Sequence, residues 1–382
     1  MKRLNFLFFD AGGGHRAAAN ALRAMIESER RPFEIELVNL QEFLDDLDIF
    51  RKLTGLRMQE IYNLLLTKGY TLGAAQILAG MHVVIRLFHG QMAPKLEALW
   101  RKNQPDMVVS LIPNFNRVIF DSLARALPGV PMVTVITDFA DYPPHFWLEP
   151  QDQFAVCGTE RAREQALSMG LAKEKVFLVS GMILNPRFYE IPPITEEERA
   201  KERVRLGLRA DQLVGLVLFG GQGAPVMESI ARDLPHRQLI LICGKNEKLA
   251  KRLRETPHAA PMFVEGFTQE VPRYMQLADY FIGKPGPASI SESIAMRLPV
   301  IVERNAWTLP QERYNAEWVV ERGVGIMLKN FRGIGGAVDA LLEPAAYAKY
   351  RSATEGFQNR AVFEIPDILD RVLQEMTPLR TA

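Results

Sequence analysis

The amino-acid sequence predicts an α/β protein built from two doubly wound domains, each with a parallel sheet covered by helices on both faces. The chain has 382 residues, 48% of them hydrophobic, which is enough to form two separate cores. Apolar segments alternate with helical segments through both halves, as in repeated βα units. Residues 185–213, rich in proline and charge, separate the two series and predict a linker followed by a short helix.

The first series of strands precedes this linker, and its continuous apolar runs predict burial on both faces of a parallel sheet. The strand segments are LNFLFF, FEIELVNL, DMVVSLI, PMVTVIT, DQFAVCG and VFLVSG. The predicted helices cover residues 15–29, 41–101, 116–126 and 159–169. Residues 1–187 are therefore predicted to form the N-terminal domain, with 41–101 as a helical insertion.

The second series follows the linker and predicts a C-terminal domain at residues 188–335. Its strand segments are VGLVLFGG, QLILICG, MFVEGF, YFIGK, PVIVE and GIML. Residues 336–382 mix aromatic and charged residues at helical spacing. We expect them to form a C-terminal helical segment that packs across the interdomain seam.

The charge and composition of the chain exclude several classes of protein. Basic and acidic residues almost cancel, leaving a formal charge of +1, so a nucleic-acid partner is not expected. No segment approaches the ~20 uncharged apolar residues that span a bilayer, and the N-terminus lacks a signal-peptide pattern. Cys157 and Cys243 lie in apolar segments far apart, which predicts buried core thiols rather than a disulfide or a zinc site.

Glycine-rich turns follow the first predicted strand of each half, AGGGHR at 11–16 and FGGQGAP at 219–225. Glycine permits positive φ and lacks a Cβ, and the following helix N-terminus offers N–H groups to an anion such as phosphate. Neither turn has the G-x-G-x-x-G pattern followed by an acidic ribose-binding residue, and neither contains GK[ST]. The turns therefore disfavour a nicotinamide dehydrogenase and a kinase. For either turn alone, a tight turn without a ligand is the alternative.

A third candidate site is GKPGPASISESIAMRLPVI, residues 283–301, which predicts a strand end, a turn, a helix and another strand. Ser289 and Ser291 at the helix start suit a diphosphate, and Glu292 suits the hydroxyls of a ribose. The alternative is that Ser289 caps the helix and Glu292 completes a capping box, because S-x-x-E is the signature of that motif. Taken alone, the segment favours the capping box.

Together these segments resemble glycosyltransferase family 28, and more narrowly its diacylglycerol-glycosylating synthases. The matching blocks span most of residues 5–330 in the family's order: AGGGHRAAA, ITDF, HFWLEP, VSGMILNPRF, FGGQG, EGF, GKPGPASISESIAMRLPVI and PQERYNAE. The resemblance implies a GT-B fold, with two facing Rossmann-like domains that bind the acceptor and the nucleotide-sugar respectively. It also implies an inverting hexosyltransferase that uses a UDP-sugar and a lipid hydroxyl, most simply that of diacylglycerol.

The resemblance also assigns roles to residues of the C-terminal domain. Glu292 would bind the ribose, Phe267 would lie at the nucleobase, and Gln311 and Glu312 would meet hydroxyls of the transferred sugar. Apart from the resemblance, Lys284 or Arg304 is a candidate source of positive charge at the diphosphate. The backbone that would face the diphosphate is that of Gly221, Gly223, Pro287, Ala288 and Ser289.

In the N-terminal domain, the resemblance places Gly13, Gly14, His15 and Arg16 on the acceptor side, with Asp138 nearby. The ordinary pKa of histidine suits a general base, a role worth about 10²–10⁴ in rate. The alternative is that His15 caps the helix or orients a phosphate. Asp138 is a second candidate base, a partner that orients His15, or a structural hydrogen-bonding group at a strand end. We expect no cofactor and no metal ion, because backbone amides and a helix N-terminus would stabilise the diphosphate.

The insertion at 41–101 mixes apolar residues with basic ones, and helices of this composition can lie in a lipid interface. The basic residues are Arg51, Lys52, Arg57, Lys68 and Arg86. Packing in the core of the N-terminal domain is the alternative. We expect a cytoplasmic protein peripherally associated with the inner face of the membrane.

Other functions of the same fold stay open at this point. They are a UDP-sugar epimerase, a UDP-N-acetylglucosamine-dependent transferase acting on another lipid, and a nucleotide-sugar-binding protein without catalysis. The sequence does not select the sugar.

Overall fold

The computed structural model describes residues 1–10, 13–45 and 74–380. The chain divides into two compact units. The first contains the described residues up to Pro186 and the segment from Arg360 onward, and the second contains Arg187–Asn359. Each unit holds one six-stranded sheet in which all strand pairs are parallel. The predicted α/β class is confirmed.

The first unit has the strand order β2-β1-β3-β4-β5-β6. Its strands are β1 Lys2–Phe8, β2 Phe33–Asn39, β3 Met107–Ser110, β4 Met132–Val135, β5 Phe154–Cys157 and β6 Val176–Leu178. Its helices are α1 Gly14–Ser28, α2 Leu40–Phe43, α3 Ala74–Asn103, α4 Asn116–Ala126 and α5 Glu160–Ser168. Residues of α3 and α4 such as Leu96, Trp100 and Ile119 pack into one buried apolar cluster with β1 and β3. Of the insertion predicted at 41–101, residues 46–73 lie outside the described residues.

The second unit begins with two helices, α6 Arg187–Glu190 and α7 Glu196–Arg205, and its sheet has the order β12-β11-β10-β7-β8-β9. Its strands are β7 Val214–Leu218, β8 Gln238–Ile242, β9 Met262–Glu265, β10 Tyr280–Gly283, β11 Val300–Glu303 and β12 Gly325–Leu328. Its other helices are α8 Val226–Asp233, α9 Glu247–Glu255, α10 Val271–Leu277, α11 Pro287–Ala295, α12 Arg313–Glu321, α13 Ile334–Leu342 and α14 Pro344–Glu355. If the strands of this unit are numbered from one, starting at β7, the order reads 3-2-1-4-5-6, which is the strand order of dinucleotide-binding domains.

A buried ion cluster fixes the start of the second unit to its sheet. Asp279, just before β10, accepts hydrogen bonds from Arg199 and Arg203 of α7, at 2.6 Å each. The same carboxylate accepts the backbone N–H of Val214 at 2.7 Å, so one side chain joins α7 to two strands. Removing one partner of such a buried cluster leaves an uncompensated charge, which is strongly destabilising.

The last helix, α15 Ala361–Arg380, belongs to the first unit, whereas α13 and α14 belong to the second. Arg31 joins α15 to the α1–β2 connection through Asp367 at 2.6 Å and Asp370 at 2.8 Å. The predicted C-terminal segment is thus three helices divided between the units. Its packing across the interdomain seam stays a prediction.

The predicted cysteine chemistry is confirmed. Cys157 at the end of β5 and Cys243 just after β8 are both free and fully buried. Burial raises the pKa of each thiol, which keeps both side chains protonated at neutral pH.

Candidate functional site

In the first unit the candidate residues gather at the carboxyl edge of the sheet, where β1 lies between β2 and β3. The chain passes from β1 to β2 on one side and then crosses to β3 on the other side of β1. The crevice at such a reversal of strand order is the usual ligand site of a doubly wound sheet. The first turn of α1 carries His15, the segment after β3 begins at Leu111, and the segment after β4 carries Thr137 and Asp138. The fold therefore brings together residues that are more than a hundred positions apart.

His15 lies among apolar and aromatic groups at this edge. Its Nδ1 is 3.4 Å from the Thr137 hydroxyl oxygen, and its ring centroid is 6.4 Å from that of Phe9 and 5.8 Å from that of Trp147. Part of its surface stays accessible, but burial of the ring lowers the pKa of His15 to about 4, against a smaller opposing effect of a hydrogen bond with the Leu111 backbone. At neutral pH the imidazole is therefore uncharged and able to accept a proton.

Asp138 is buried beside Trp147, whose ring lies against His15. Its Oδ2 accepts a hydrogen bond from the indole N–H of Trp147 at 2.9 Å. The carboxylate thus helps to orient the ring that lies against His15. Of the roles considered for Asp138 from the sequence, a structural hydrogen bond at the end of a strand is the one this contact supports.

The glycines at the start of α1 leave an open surface. Gly13 has φ of 81°, which favours glycine, and a Cβ added at Gly13 or Gly14 would meet no atom within 4 Å. Gly13 also has no side chain to cap α1. Arg16 lies 2.5 Å from Asp10 and so is already engaged in an ion pair. The turn itself is therefore the part of this segment that a ligand can approach.

In the second unit the corresponding edge lies where β7 sits between β8 and β10. The turn Gly220–Gln222 follows β7, and it packs tightly against the turn after β8. A Cβ at Gly244 would lie 2.3 Å from the Gly221 carbonyl oxygen, and one at Gly223 would lie 2.6 Å from that of Cys243. Gly221, by contrast, faces open space. Gly223 and Gly244 thus let the two turns touch, while Gly221 is left accessible.

The helix in the third candidate segment begins earlier than a capping box requires. It starts at Pro287, and the N-cap is Gly286, which makes no side-chain cap. Ser289 is therefore inside the helix, and the capping box of Ser289 and Glu292 favoured by the isolated pattern is wrong. Proline suits the first helical position because its fixed φ is helical and its missing N–H is not needed there. The N–H groups of Ala288 and Ser289 lie in the first turn of α11, where backbone donors have no carbonyl partner within the helix, and no side chain caps this end.

Glu292 lies one turn further into α11 and is largely enclosed by protein. Burial raises its pKa to about 7, and no opposing charge offsets this effect. Within the described part of the chain the Glu292 carboxyl group makes no hydrogen bond or ion pair. A carboxyl group in this position has unused hydrogen-bonding capacity for a ligand.

The positive groups expected at the diphosphate are both paired. Lys284 Nζ lies 2.8 Å from Glu312 Oε1, and Arg304 lies 2.7 Å from Glu317. Of these two basic side chains, Lys284 lies close to the glycine turn after β7, because its Cε would be 3.6 Å from a Cβ added at Gly220. The Glu312 carboxylate is nearly buried, and Gln311 precedes it in the turn Pro310–Glu312.

Phe267 follows β9 at the same edge and is 57% exposed, unusual for a phenylalanine. The Lys245 ammonium lies 5.6 Å from the centre of its ring. An exposed aromatic face beside a cation is a suitable surface for a planar ligand.

Three residues near these sites did not receive roles in the sequence analysis. Trp147 was visible only as part of the block HFWLEP, Thr137 as part of ITDF, and Asn315 as part of PQERYNAE. Asn315 is buried and donates to the carbonyl of Pro285 at 2.9 Å, so α12 fixes the turn before α11. Contacts of this kind depend on which loops meet in the fold.

Across residues 1–10, 13–45 and 74–380, no cluster of histidine, cysteine and acidic side chains is arranged to hold a metal ion. Among the helices of the same residues, none combines the length and apolar character needed to cross a membrane.

Comparison with known proteins gave two family matches. The family described as monogalactosyldiacylglycerol (MGDG) synthase matches residues 15–182, and the glycosyltransferase family 28 C-terminal domain matches residues 215–358. The chain is 27% identical to the chloroplastic MGDG synthase of Spinacia oleracea, over 98% of this chain and 73% of the spinach protein.

Solved structures of low sequence identity share the fold. MurG of Acinetobacter baumannii has a TM-score of 0.63 at 12% identity, over 97% of this chain and all of that one. The UDP-GlcNAc 2-epimerase of Neisseria meningitidis, bound to UDP-GlcNAc, has a TM-score of 0.57 at 15% identity, over 97% and 100% of the two chains. These similarities confirm the GT-B architecture. At sequence identities of 12% and 15% they concern the fold alone.

Proposed function

Because this chain belongs to glycosyltransferase family 28 and is a sugar-transferring enzyme, we propose that it transfers a hexose from a UDP-sugar to a lipid hydroxyl, with diacylglycerol as acceptor. The observation that carries this proposal is the carboxyl edge of the second sheet. There the open turn at Gly221 follows β7, and α11, with its uncapped start and the unpaired Glu292 side chain, follows the neighbouring strand β10.

The second unit binds the donor in this proposal. The N–H groups of Ala288 and Ser289 hold the diphosphate at the positive end of α11, and Lys284 adds a charge beside it. Glu292 binds the ribose hydroxyls, a contact that favours the ionised carboxylate. Phe267 supports the uracil, and Gln311 and Glu312 bind the sugar. These groups stabilise the charge that grows on departing UDP, so we expect transfer without added metal.

The first unit activates the acceptor. His15, neutral at physiological pH, removes the proton of the lipid hydroxyl as the oxygen attacks the anomeric carbon on the side opposite UDP. This displacement inverts the anomeric centre. Thr137 and Trp147 hold the imidazole in place, and the open turn at Gly13 and Gly14 gives the acceptor access.

A lipid acceptor requires contact with a membrane surface. We propose that the insertion around residues 41–101 supplies it and that the enzyme acts peripherally on the inner face of the membrane. The spinach relative is named as a synthase of a diacylglycerol glycolipid, which supports a diacylglycerol acceptor for this chain.

The test is to incubate the purified protein with UDP-glucose or UDP-galactose, with EDTA, and with vesicles that contain or lack diacylglycerol. We expect UDP release and a new glycolipid only when diacylglycerol is present, and the sugar that reacts faster identifies the donor. Lipid-independent isomerisation would instead indicate an epimerase. Binding without turnover on any lipid would contradict catalysis, and turnover on another lipid alone would correct the acceptor.

A further inference from the structure

The segment 136–153 between β4 and β5 contains no strand or helix apart from short turns, yet it carries a ring that lies against His15. The indole of Trp147 lies with its centroid 5.8 Å from that of His15 and is 1% exposed. A loop of this length does not hold a buried ring in one place by regular backbone pairing. Its shape depends on side chains that bond to its backbone.

Three polar groups hold Trp147. Its indole N–H donates to Asp138, and its carbonyl accepts from the Asn116 side-chain amide at 2.8 Å. Its backbone N–H donates to Asp141 Oδ1 at 2.6 Å. The first two groups lie at the ends of β4 and α4, close to the sheet edge, whereas Asp141 belongs to the loop itself.

Asp141 is in turn held by a helix. Its backbone N–H donates to Gln165 Oε1 at 2.9 Å, and its carbonyl accepts from Gln165 Nε2 at 3.0 Å. Gln165 lies in α5, which packs on β5 and β6. Hydrogen bonds therefore connect α5 through Asp141 to Trp147, whose ring lies against that of His15.

The Asp141 carboxylate is an unusual group for this task. The residue is 1% exposed, and its Oδ2 has no hydrogen-bond donor in the part of the chain that the structure describes. Burial raises its pKa to about 6, although backbone amides of Trp147, Leu148 and His145 act in the opposite direction.

Among the described residues, His145 and Cys157 are the titratable groups that interact electrostatically with Asp141. His145, on the same loop, favours the carboxylate when it is charged. The protonated Cys157 thiol, at the end of β5, interacts electrostatically with Asp141. On α5, Glu160 raises the pKa of that thiol and Arg163 lowers it. None of these groups is a direct ion-pair partner that would hold Asp141 ionised.

We propose that Asp141 is a positioning residue for His15, acting through Trp147, and that protonation of its carboxylate loosens this support. A hydrogen bond to a carboxylate is roughly twice as strong as one to a neutral acceptor. When the carboxyl group takes up a proton, the bond from the Trp147 N–H weakens while the bonds from Asp138 and Asn116 remain. The indole then becomes more mobile, and the His15 ring is no longer packed against a fixed neighbour. The effect on turnover rests on the proposed function, whereas the effect on Trp147 does not.

Tryptophan fluorescence tests the first step without any substrate. The difference between the wild-type protein and Trp147→Phe, measured from pH 4.5 to 8, isolates the signal of Trp147. We expect a transition with a midpoint close to pH 6 that is absent in Asp141→Asn. The matched control is Asp152→Asn, because Asp152 lies near the end of the same loop, is paired with Lys175 and is exposed; this variant should keep the transition. A Trp147 signal that is constant between pH 5 and 7.5, or a transition that persists in Asp141→Asn, overturns the proposal.

Kinetics test the second step. At pH 7.5, Asp141→Asn should lower kcat about tenfold, the loss expected when a charged hydrogen bond becomes a neutral one, and leave KM for the UDP-sugar unchanged. The ratio of wild-type to variant kcat should fall toward one as the pH approaches 5, because the wild-type carboxylate is then protonated. A ratio independent of pH would mean a general structural loss and would overturn the proposal.

If Asp141→Asn does not fold, Gln165→Leu provides a second test. It removes both bonds to the Asp141 backbone but keeps the carboxyl group, so kcat should fall while the fluorescence transition remains. Unchanged kcat in this variant would contradict the connection from α5 to His15. If the wild-type protein transfers no sugar at all, the proposed function fails, and the fluorescence titration still decides the role of Asp141.

Discussion

His15 combines the two properties that a proton acceptor needs, a neutral ring at physiological pH and partial access from outside. The neutral form results from burial, which makes the charged imidazolium unfavourable. Thr137 and Trp147 restrict the orientation of the ring. The turn AGGGHR drew attention to this residue, and the family resemblance suggested its role, which stays a prediction; neither indicated these neighbours, which come from a segment more than a hundred residues later.

Replacing His15 by alanine should lower kcat by about 10²–10⁴, the usual contribution of a general base. UDP affinity should stay unchanged, because the donor groups lie in the second unit. Turnover with UDP-hexose and calorimetric titration with UDP measure the two effects. His236→Ala, a change at an exposed histidine of the second unit, is the control and should have wild-type kinetics.

The pH dependence distinguishes His15 from an exposed histidine. Its neutral form is present above a pKa of about 4, so the base is lost only as the pH falls toward 4. In Asp141→Asn at saturating UDP-sugar, where the bound ribose keeps Glu292 ionised, kcat should show one acid limb with a midpoint near 4. A limb near the ordinary value of 6.5 would mean that another histidine is the base.

Glu292 has the opposite electrostatic character, because its charged form is disfavoured until a ligand arrives. Its pKa in the folded protein is raised from 4.5 to about 7. Between these values the unfolded chain releases the proton and the folded chain retains it, so the free energy of unfolding falls as the pH rises through this range.

Glu292→Gln should therefore make the ligand-free protein more stable at pH 8 than the wild type, while weakening UDP binding at least tenfold, as for the loss of a charged hydrogen bond. Thermal unfolding with and without UDP measures both effects. The control Glu317→Gln changes a carboxylate that is exposed and paired with Arg304. A variant that binds UDP as tightly as the wild type would exclude Glu292 from the donor site.

At the scale of elements, both candidate sites are built from turns at the carboxyl edge of a parallel sheet. In the second unit the turns after β7 and β8 are in backbone contact, since the Lys245 N–H donates to the Gly221 carbonyl at 2.9 Å. Gly244 has φ of 57° and no room for a Cβ at this contact. The position of the accessible Gly221 thus depends on a glycine in the neighbouring turn.

Gly244→Ala should separate the two turns, destabilise the protein by roughly 1–3 kcal/mol and weaken UDP binding, because both the left-handed backbone and the contact are lost. Gly336→Ala is the matched control, since Gly336 lies in α13 with nothing within 4 Å of an added Cβ. That change should be neutral or slightly stabilising, as expected for alanine in a helix. Chemical denaturation and UDP titration measure both variants, and equal behaviour of the two would contradict this account.

The sequence predicted elements well where periodicity or apolar runs were strong. The helix at 116–126 has the predicted bounds, and all the predicted strand segments contain strands. The start of α11 was less predictable, because Pro287 and Ser289 both carry helix-start signals and only the extended backbone of Gly286 decides between them. Asp141 and Gln165 were not predictable at all, since their contact joins an aperiodic loop to a helix.

At the scale of the whole molecule, the chain passes from the first unit to the second and returns with α15. This helix packs against α1 through apolar residues spaced by three or four positions, as a helix on a core requires. The fully or almost fully buried residues of this face are Ala361, Val362, Ile365, Leu369 and Val372. The integrity of the first unit therefore depends on residues at the end of the sequence.

Leu369→Ala should lower the stability of the first unit by about 2–4 kcal/mol, since it leaves a cavity under a fully buried side chain. UDP affinity should be unaffected, because α15 is not part of the second unit. Val320→Ala, at an exposed position, is the control. Thermal unfolding measures the loss of stability, and hydrogen exchange shows which unit has lost it. A loss of stability confined to the second unit would contradict the assignment of α15 to the first.

Hydrogen exchange of the wild-type protein with and without UDP tests most directly whether the backbone at the carboxyl edge of the second sheet holds the donor nucleotide. We predict slower exchange in peptides that cover residues 219–224 and 284–292, and no comparable change in α4 or α5 of the first unit. UDP binding that leaves both of these segments unprotected would contradict this placement of the nucleotide.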